Sequence, residues 1–388
     1  MNVRQDFLLN PEYTHLNHGS FGACPKSIFE DYQKWQLALE RDPVDFFVNK
    51  GNEQLERSKE AMAKFMGCEA DNLVFTMNPS YAINIVAKSL VMKPGDEILS
   101  TNHEYGAMDR IWKYYCEKAG ARYIQQEIPI PLKSKEEFIA SFWKGYSKHT
   151  KAIFISQITS MTALIFPVKE ICQRAKELGL LTIVDGAHVP GHIPLNLSEL
   201  DADIYTGACH KWMLTPKGCS FLYAHPSIQN NFDPLLISWG YDADVPGKSK
   251  FLDYHQLQGT RDYSAFLTIP AALEFFRSRN WERVKRNARQ MILDNYQRLC
   301  DIFGDGPICP VTDEFLGQMC SVPLPIADPM ELKVILFDEY KIEIPVFKMH
   351  DQVFIRLSTQ GYVTQTDVDY LVTALTEIRD SGRLTMLS

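Results

Sequence analysis

Residues 152–185, AIFISQITSMTALIFPVKEICQRAKELGLLTIVD, place two short apolar runs on either side of a helical stretch. Ala152–Ser156 and Leu181–Asp185 are near-continuous rather than alternating, as expected of strands covered on both faces. Val168–Leu178 between them reads as a helix, and Gly179 just after it supplies a stop signal. The same alternation extends outward in both directions. Leu73–Thr76, Glu97–Thr101, Asp203–Thr206 and Cys219–Tyr223 read as further strands, and Tyr81–Val91, Ala107–Ala119 and Glu136–Tyr146 as further helices. This series predicts an α/β fold with a large, doubly wound, mostly parallel sheet.

After about residue 275 the pattern changes. A long helix, Trp281–Phe303, precedes the Gly/Pro-rich GDGPICP, then short strands at Met319–Val322 and Val353–Leu357 and helices at Met330–Glu339 and Gln365–Asp380. That mixture predicts a smaller α+β domain. The expected division is an N-terminal segment 1–15, a large domain 16–276 and a small C-terminal domain 277–388.

Composition narrows the class without naming an activity. The 388 residues are 45% hydrophobic and carry a net charge of −8, with no basic patch of the kind a nucleic-acid partner would favour. Nine cysteines, none in a CxxC pair, argue against a secreted disulfide framework. The start, MNVRQDFLLNPEYTH, has no apolar run long enough for a signal peptide, and no 18-residue apolar stretch suggests a membrane span. A cytoplasmic protein is expected.

Familiar signatures fail on inspection. PGKS (246–249) would end a phosphate-binding loop, but the loop's first glycine would fall at Asp242. No GxGxxG follows the first strand and no GxSxG occurs. His188 and His192 have zinc-pair spacing, yet Pro190 and Gly191 forbid the regular helix such a pair needs; no metal is expected.

Two segments carry the chemistry: IVDGAHVPGHIP (183–194) and YTGACHKWMLTPKGCSFLY (205–223). Asp185 closes a buried strand, where open α/β sheets place their ligands. Lys211 follows another strand, one connection away, so both side chains can face one crevice. A Lys and an Asp so arranged suit pyridoxal phosphate: the amine forms a Schiff base, and the acid keeps the pyridine nitrogen protonated. Singly, a strand-end Asp is commonly a cap and a Lys after a strand commonly a surface residue.

With their contexts, these segments resemble the class V aminotransferase group of fold-type I pyridoxal phosphate enzymes, in particular its isopenicillin N epimerase-like, cysteine desulfurase-related branch. The resemblance runs from LNHGSFG (16–22) to IRLSTQGY (355–362) and is most specific in VDGAH, HKW and QGTRDYSAFLTIPAAL (258–273). It implies Lys211 as the Schiff-base lysine, Asp185 as the pyridinium partner and His188 beside the lysine or the cofactor's phenolic oxygen. FTMNPSYAIN (75–84) then holds the phosphate through Asn78, Pro79, Ser80 and Tyr81. Pro79 has no N–H, so the turn must rely on the amides of Ser80 and Tyr81 at a helix N-terminus. His210 is implied as a further phosphate contact. In NHEYGAMDRIW (102–112), Tyr105 stacks on the ring, with His103 the alternative. Ser160, or Thr159 beside it, lies near the phenolic oxygen. Gly259 and Thr260 reach the phosphate of a second subunit, implying an obligate homodimer with shared active sites. Arg356 clamps the substrate carboxylate, and Asn17, His18 and Ser20 line the same cavity.

The implied chemistry starts when an amino acid displaces Lys211 and forms an external aldimine that loses its α-proton. Reprotonation on the opposite face epimerises, loss of a β-substituent makes a lyase, and reprotonation on the cofactor transaminates. A persulfide-forming desulfurase is disfavoured, because KIEIPVFKMHD (341–351) contains no Cys. The expected activity is an amino-acid epimerase or β C–S lyase. The alternatives are a class V aminotransferase and, more remotely, a non-catalytic cofactor-binding sensor.

Overall fold

The computed structural model of the chain describes residues 3–387. Its central sheet comprises β1 (Leu73–Thr76), β2 (Glu97–Thr101), β3 (Arg122–Gln126), β4 (Thr150–Ser156), β5 (Leu181–Asp185), β6 (Ile204–Ala208) and β7 (Ser220–Ala224). The strand order is β1-β7-β6-β5-β4-β2-β3. Only β7 runs antiparallel to its neighbours, so the sheet is mostly parallel, as the sequence predicts.

Both faces are covered, and successive residues divide between them as strand geometry requires. Ile153, Ile155 and Val184 join one apolar cluster, while Ala152, Phe154 and Ile183 join another on the opposite face. β3 escapes sequence reading because it is an edge strand: RYIQQ has no apolar run and no fully buried residue. Helices α1 (Lys26–Arg41) and α2 (Gly51–Met66) precede β1, where the sequence reading assigns no element. Then come α3 (Pro79–Ser89), α4 (Gly106–Ala119), α5 (Lys135–Phe142) and α6 (Val168–Glu177). Gly120 and Gly179 both take positive φ (68°) where α4 and α6 end.

Further along, α7 (Trp281–Asp301) and α8 (Pro329–Asp338) accompany an antiparallel sheet, order β9-β10-β8. Its strands are β8 (Met319–Leu324), β9 (Val346–Met349) and β10 (Gln352–Ser358), and α9 (Gln365–Asp380) follows. Thr14–His15 pair in parallel with Ile342–Glu343, so the N-terminal segment is stitched to this C-terminal part. No described helix is long and apolar enough to cross a membrane, and no cluster of three or more His, Cys, Asp or Glu among the described residues could hold a metal ion.

Candidate active site

The carboxyl ends of β1, β4, β5 and β6 converge on a cavity of about 290 Å³, near the lower end for small-molecule sites. This is where an open α/β sheet is built to bind. Asp185, the last residue of β5, sits on its wall and accepts a 2.9 Å hydrogen bond at Oδ1 from the Ala187 amide. Burial pushes the Asp185 carboxyl up to about 6, against the pull of that amide and of Lys211.

Lys211 lies in the tight connection between β6 and β7. The amides of Cys209 and His210 both donate to the Cys219 carbonyl (3.0 and 3.2 Å), and the Leu214 amide closes back on the Lys211 carbonyl at 3.2 Å. Two glycines press this loop from outside, each with positive φ. A Cβ at Gly22 would collide with the His210 carbonyl and reach 2.8 Å from Lys211 Cα. At Gly191 it would meet the Trp212 carbonyl and Met213 Cα. Neither position tolerates a side chain without moving the loop that carries Lys211. Burial, followed by the Arg356 charge, lowers the Lys211 amine to about 8, with Asp185 opposing.

His188 stands beside this amine, its Nε2 3.1 Å from Lys211 Nζ. On its other side Trp212 Nε1–H donates to His188 Nδ1 at 3.3 Å. His192 stacks on the Trp212 indole, ring centroids 3.9 Å apart. Sequence reading passed over Trp212 as a contact because nothing in HKW says where the indole points.

At the start of α3, Asn78 is the N-cap: its side chain accepts from the Tyr81 amide at 2.8 Å. This corrects the expectation that the Tyr81 amide serves a phosphate. Tyr81 is also not among the residues on the cavity wall; its hydroxyl donates to Gln258 at 3.1 Å. Asn78, Pro79 and Ser80 do line the cavity, and neither the Ser80 amide nor its hydroxyl has a partner among the described residues. His210 lines it too, with Nδ1 3.0 Å from the Cys219 carbonyl. A carbonyl only accepts, so His210 Nε2 can donate into the cavity only from the imidazolium, a form that a bound phosphate would favour.

Tyr105 and Met108 lie on the wall beyond β2. His103 does not: its ring is buried between Thr162 Oγ1 (2.9 Å) and the Ile128 carbonyl (3.0 Å), which removes the alternative to Tyr105. Ser160 lines the cavity, whereas the Thr159 hydroxyl is turned away onto Thr162 (2.8 Å) and the Leu164 amide (2.9 Å). Thr159 is therefore corrected as a cavity residue.

Arg356, on β10, is buried and is not itself among the residues on the cavity wall; it lies behind Ser20 and Ser160, which are. Its Nη1 donates to the Ser160 carbonyl and approaches Ser160 Oγ at 3.4 Å, its Nη2 donates to Ser20 Oγ at 2.8 Å, and its Nε has no partner. Among the described residues no carboxylate pairs with it. Ser20 lines the cavity, but His18 lies behind the wall, bridging Tyr362 Oη and the Lys211 carbonyl at 3.1 Å each. Asn17 is also off the wall, pairing in parallel with Ser358. Gly19 packs where a Cβ would sit 2.5 Å from Met319 Sδ and 2.9 Å from Ser358 Oγ. HGSFG is thus a strut between the Lys211 loop and the Arg356 strand. Gly259 and Thr260 lie outside this cavity, Thr260 exposed and Gly259 at φ 95°.

Pyridoxal phosphate makes demands that this cavity can be tested against: an amine, an acid, unpaired donors for a phosphate and a ring to cover the pyridine. Lys211, Asp185, the free Ser80 donors and Tyr105 meet them within one cavity, so the residues present fit the group. The fold and site together define a fold-type I pyridoxal phosphate enzyme.

The comparisons with known proteins agree. The chain belongs to the aminotransferase class-V family, which matches residues 26–371. It is 31% identical over 390 residues to an isopenicillin N epimerase of Amycolatopsis lactamdurans, covering 97% of this chain and 98% of that protein. It is 26% identical to a probable chloroplastic L-cysteine desulfhydrase of Arabidopsis thaliana, covering 98% and 86%. Among solved structures, a cysteine desulfurase from Thermococcus onnurineus NA1 superposes with a TM-score of 0.84 at 21% identity, covering 98% of each chain.

Proposed function

We propose that this chain binds an α-amino acid through Arg356, removes its α-proton with Lys211, and acts as an epimerase or a β C–S lyase. The observation that carries this reading is the buried, carboxylate-free Arg356 guanidinium beside the cavity that holds Lys211. An unpaired buried cation is costly, and a substrate carboxylate would relieve that cost.

Pyridoxal phosphate, held by Lys211, Asp185, Ser80, His210 and Tyr105, would supply the electron sink that acidifies a Cα–H bond. The chain supplies the rest. Arg356 offers a planar fork to two carboxylate oxygens, and Ser20 and Ser160 hold it in place. Lys211, lowered to about 8, holds roughly a tenth of its population as free amine at pH 7, far more than an ordinary lysine, and can take the α-proton. His188 keeps that amine oriented. Asp185, pushed up only to about 6, stays largely ionised at pH 7 and can hold a proton on a ring nitrogen.

No cysteine lines the cavity, and Cys209, next to His210, is fully buried with its thiol pushed well up by burial. A persulfide-carrying desulfurase therefore has no nucleophile here. Likeness to epimerases supports inversion at Cα, and likeness to desulfhydrases supports loss of a β-thiol. A class V aminotransferase is the alternative, and a non-catalytic sensor the remote one.

The reading includes a small domain, residues 277–388, that carries Arg356, and a homodimer in which Gly259 and Thr260 complete the partner's phosphate site. Ile237 (73% exposed), Trp239 (81%) and Val245 (86%) expose large apolar side chains within one loop, which a second copy would cover. Incubating the purified protein with an amino-acid panel, scoring α-proton exchange, inversion, pyruvate, sulfide and keto acid separately, tests the whole reading. Exchange with inversion, or pyruvate with sulfide, is expected; keto acid alone would favour the aminotransferase, and no product from any amino acid would overturn it.

A further inference from the structure

Trp212 is used by none of the steps above, yet its indole N–H determines which nitrogen of His188 carries the proton. An indole nitrogen can only donate. Its contact with His188 Nδ1 at 3.3 Å therefore requires a lone pair on Nδ1, and a neutral imidazole then carries its proton on Nε2. That Nε2–H faces Lys211 Nζ at 3.1 Å, so Lys211 must accept, which only an unprotonated amine can do. An ammonium at Lys211 would need the opposite tautomer, with Nδ1–H driven against Trp212 Nε1–H. The indole is itself fixed: His192 stacks on it at 3.9 Å, and His18 packs against it with centroids 4.8 Å apart. His192 is oriented in turn by the Gln318 amide, which donates to Nε2 at 2.5 Å and leaves Nδ1–H for the His188 carbonyl at 2.9 Å.

We infer that Trp212 is a positioning residue that biases His188 to its Nε2–H tautomer and thereby favours the free amine at Lys211. Its bearing on catalysis rests on the proposed role of Lys211; the tautomer itself does not. The groups facing this pair are mostly cationic or neutral: Arg356, His192 and His18 act on His188, while Arg356 and Asp185 act on Lys211, Asp185 alone favouring the ammonium. Burial drives His188 well below its ordinary range, so it stays neutral throughout.

Two measurements on the 388-residue chain, freed of cofactor, test this. In ¹⁵N-histidine-labelled protein, with His188 assigned by its loss in His188→Gln, the account expects a pyridine-type Nδ1 and a pyrrole-type Nε2. The reverse assignment in the unmutated chain overturns it, whether or not any variant folds. Second, the pH dependence of the rate at which Lys211 condenses with added pyridoxal phosphate should shift in Trp212→Phe, which keeps the stacked ring but loses the N–H. A rise of about one unit in the midpoint, and so about tenfold slower condensation at pH 7, is expected. A folded Trp212→Phe with an unmoved midpoint would show that the indole is only packing. Failure of the unmutated protein to attach the cofactor at Lys211 would instead sink the proposed function, leaving the tautomer to the NMR result.

Discussion

Around Lys211, each buried polar group of the His188–Trp212–His192–Gln318 amide chain meets a partner, and each contact has a defined direction. Residues 255–264 are different. Both nitrogens of His255, Gln256 Nε2, Gln258 Nε2, Arg261 Nε and Ser264 Oγ are buried there without a partner, next to the loop that exposes Ile237, Trp239 and Val245. A buried donor or acceptor left unpaired costs about 1–3 kcal/mol. The His188–Trp212 side of Lys211 is thus closed within one chain, although Asn17 Oδ1, Gln318 Oε1, Arg356 Nε and Ser358 Oγ beyond it also lack partners among the described residues; residues 255–264 lie where the proposed second copy would pack.

The sharpest way to break this contrast is on the finished side. Lys211→Ala should abolish cofactor attachment and cut turnover by roughly 10³-fold or more, since attachment and general base are lost together; steady-state rates with the responsive amino acid check this. Arg356→Ala should act mainly through KM. Loss of a charge-assisted fork is expected to cost about 2–5 kcal/mol in kcat/KM, with the folded protein no less stable because an uncompensated buried cation has gone. On the unfinished side, Trp239→Asp should convert a dimer to a monomer in sedimentation and weaken cofactor retention, leaving the monomer folded. Dimerisation untouched by Trp239→Asp would remove that surface from the interface. Gly22→Ala should lower stability by about 1–3 kcal/mol, since a non-glycine residue at φ 70° is strained and its Cβ meets the Lys211 loop; thermal unfolding reads it.

The smallest effect is on pH dependence. Burial lowers His18 and His192 to about 3 and His103 and His255 to about 4, from an ordinary 6.5. The unfolded chain binds these protons more readily, so this stability is present above pH 6.5 and is lost as pH falls toward 4. Glu104 works the other way. Burial raises it to about 8 from 4.5, so its contribution is lost as pH rises through that interval. The melting temperature should therefore peak near pH 6.5 and decline on either side; a melting temperature that keeps rising as pH is lowered from 6.5 to 5 would contradict the neutral-histidine cluster.

Much of this was legible in the sequence, for physical reasons that differ by element. Leu181–Asp185 and Gln365–Asp380 coincide with their expected bounds because each has a strong apolar period and clear end signals. β3 did not show itself, since an edge strand has no need of an apolar run. In the site, the residue types were readable and their directions were not. Tyr105 and His103 are two residues apart, yet one faces the cavity and the other is locked into the core by Thr162 and Ile128. Asn78 reads as part of a phosphate turn, but its side chain already takes the Tyr81 amide. Asn17, His18 and Ser20 read as cavity-lining, whereas only Ser20 is, and the glycines beside them make room: Gly22 for the Lys211 backbone, Gly19 for the Met319 and Ser358 side chains. Such facts depend on long-range packing, which local pattern does not encode.

The central claim is that Lys211 carries the cofactor, and one measurement bears on it directly. The cofactor-loaded protein is reduced with borohydride, digested and mapped by mass spectrometry. The account predicts a phosphopyridoxyl group on the peptide containing Lys211 and on no other lysine. A label on a different lysine, or an unchanged visible absorption band in Lys211→Ala, would contradict it.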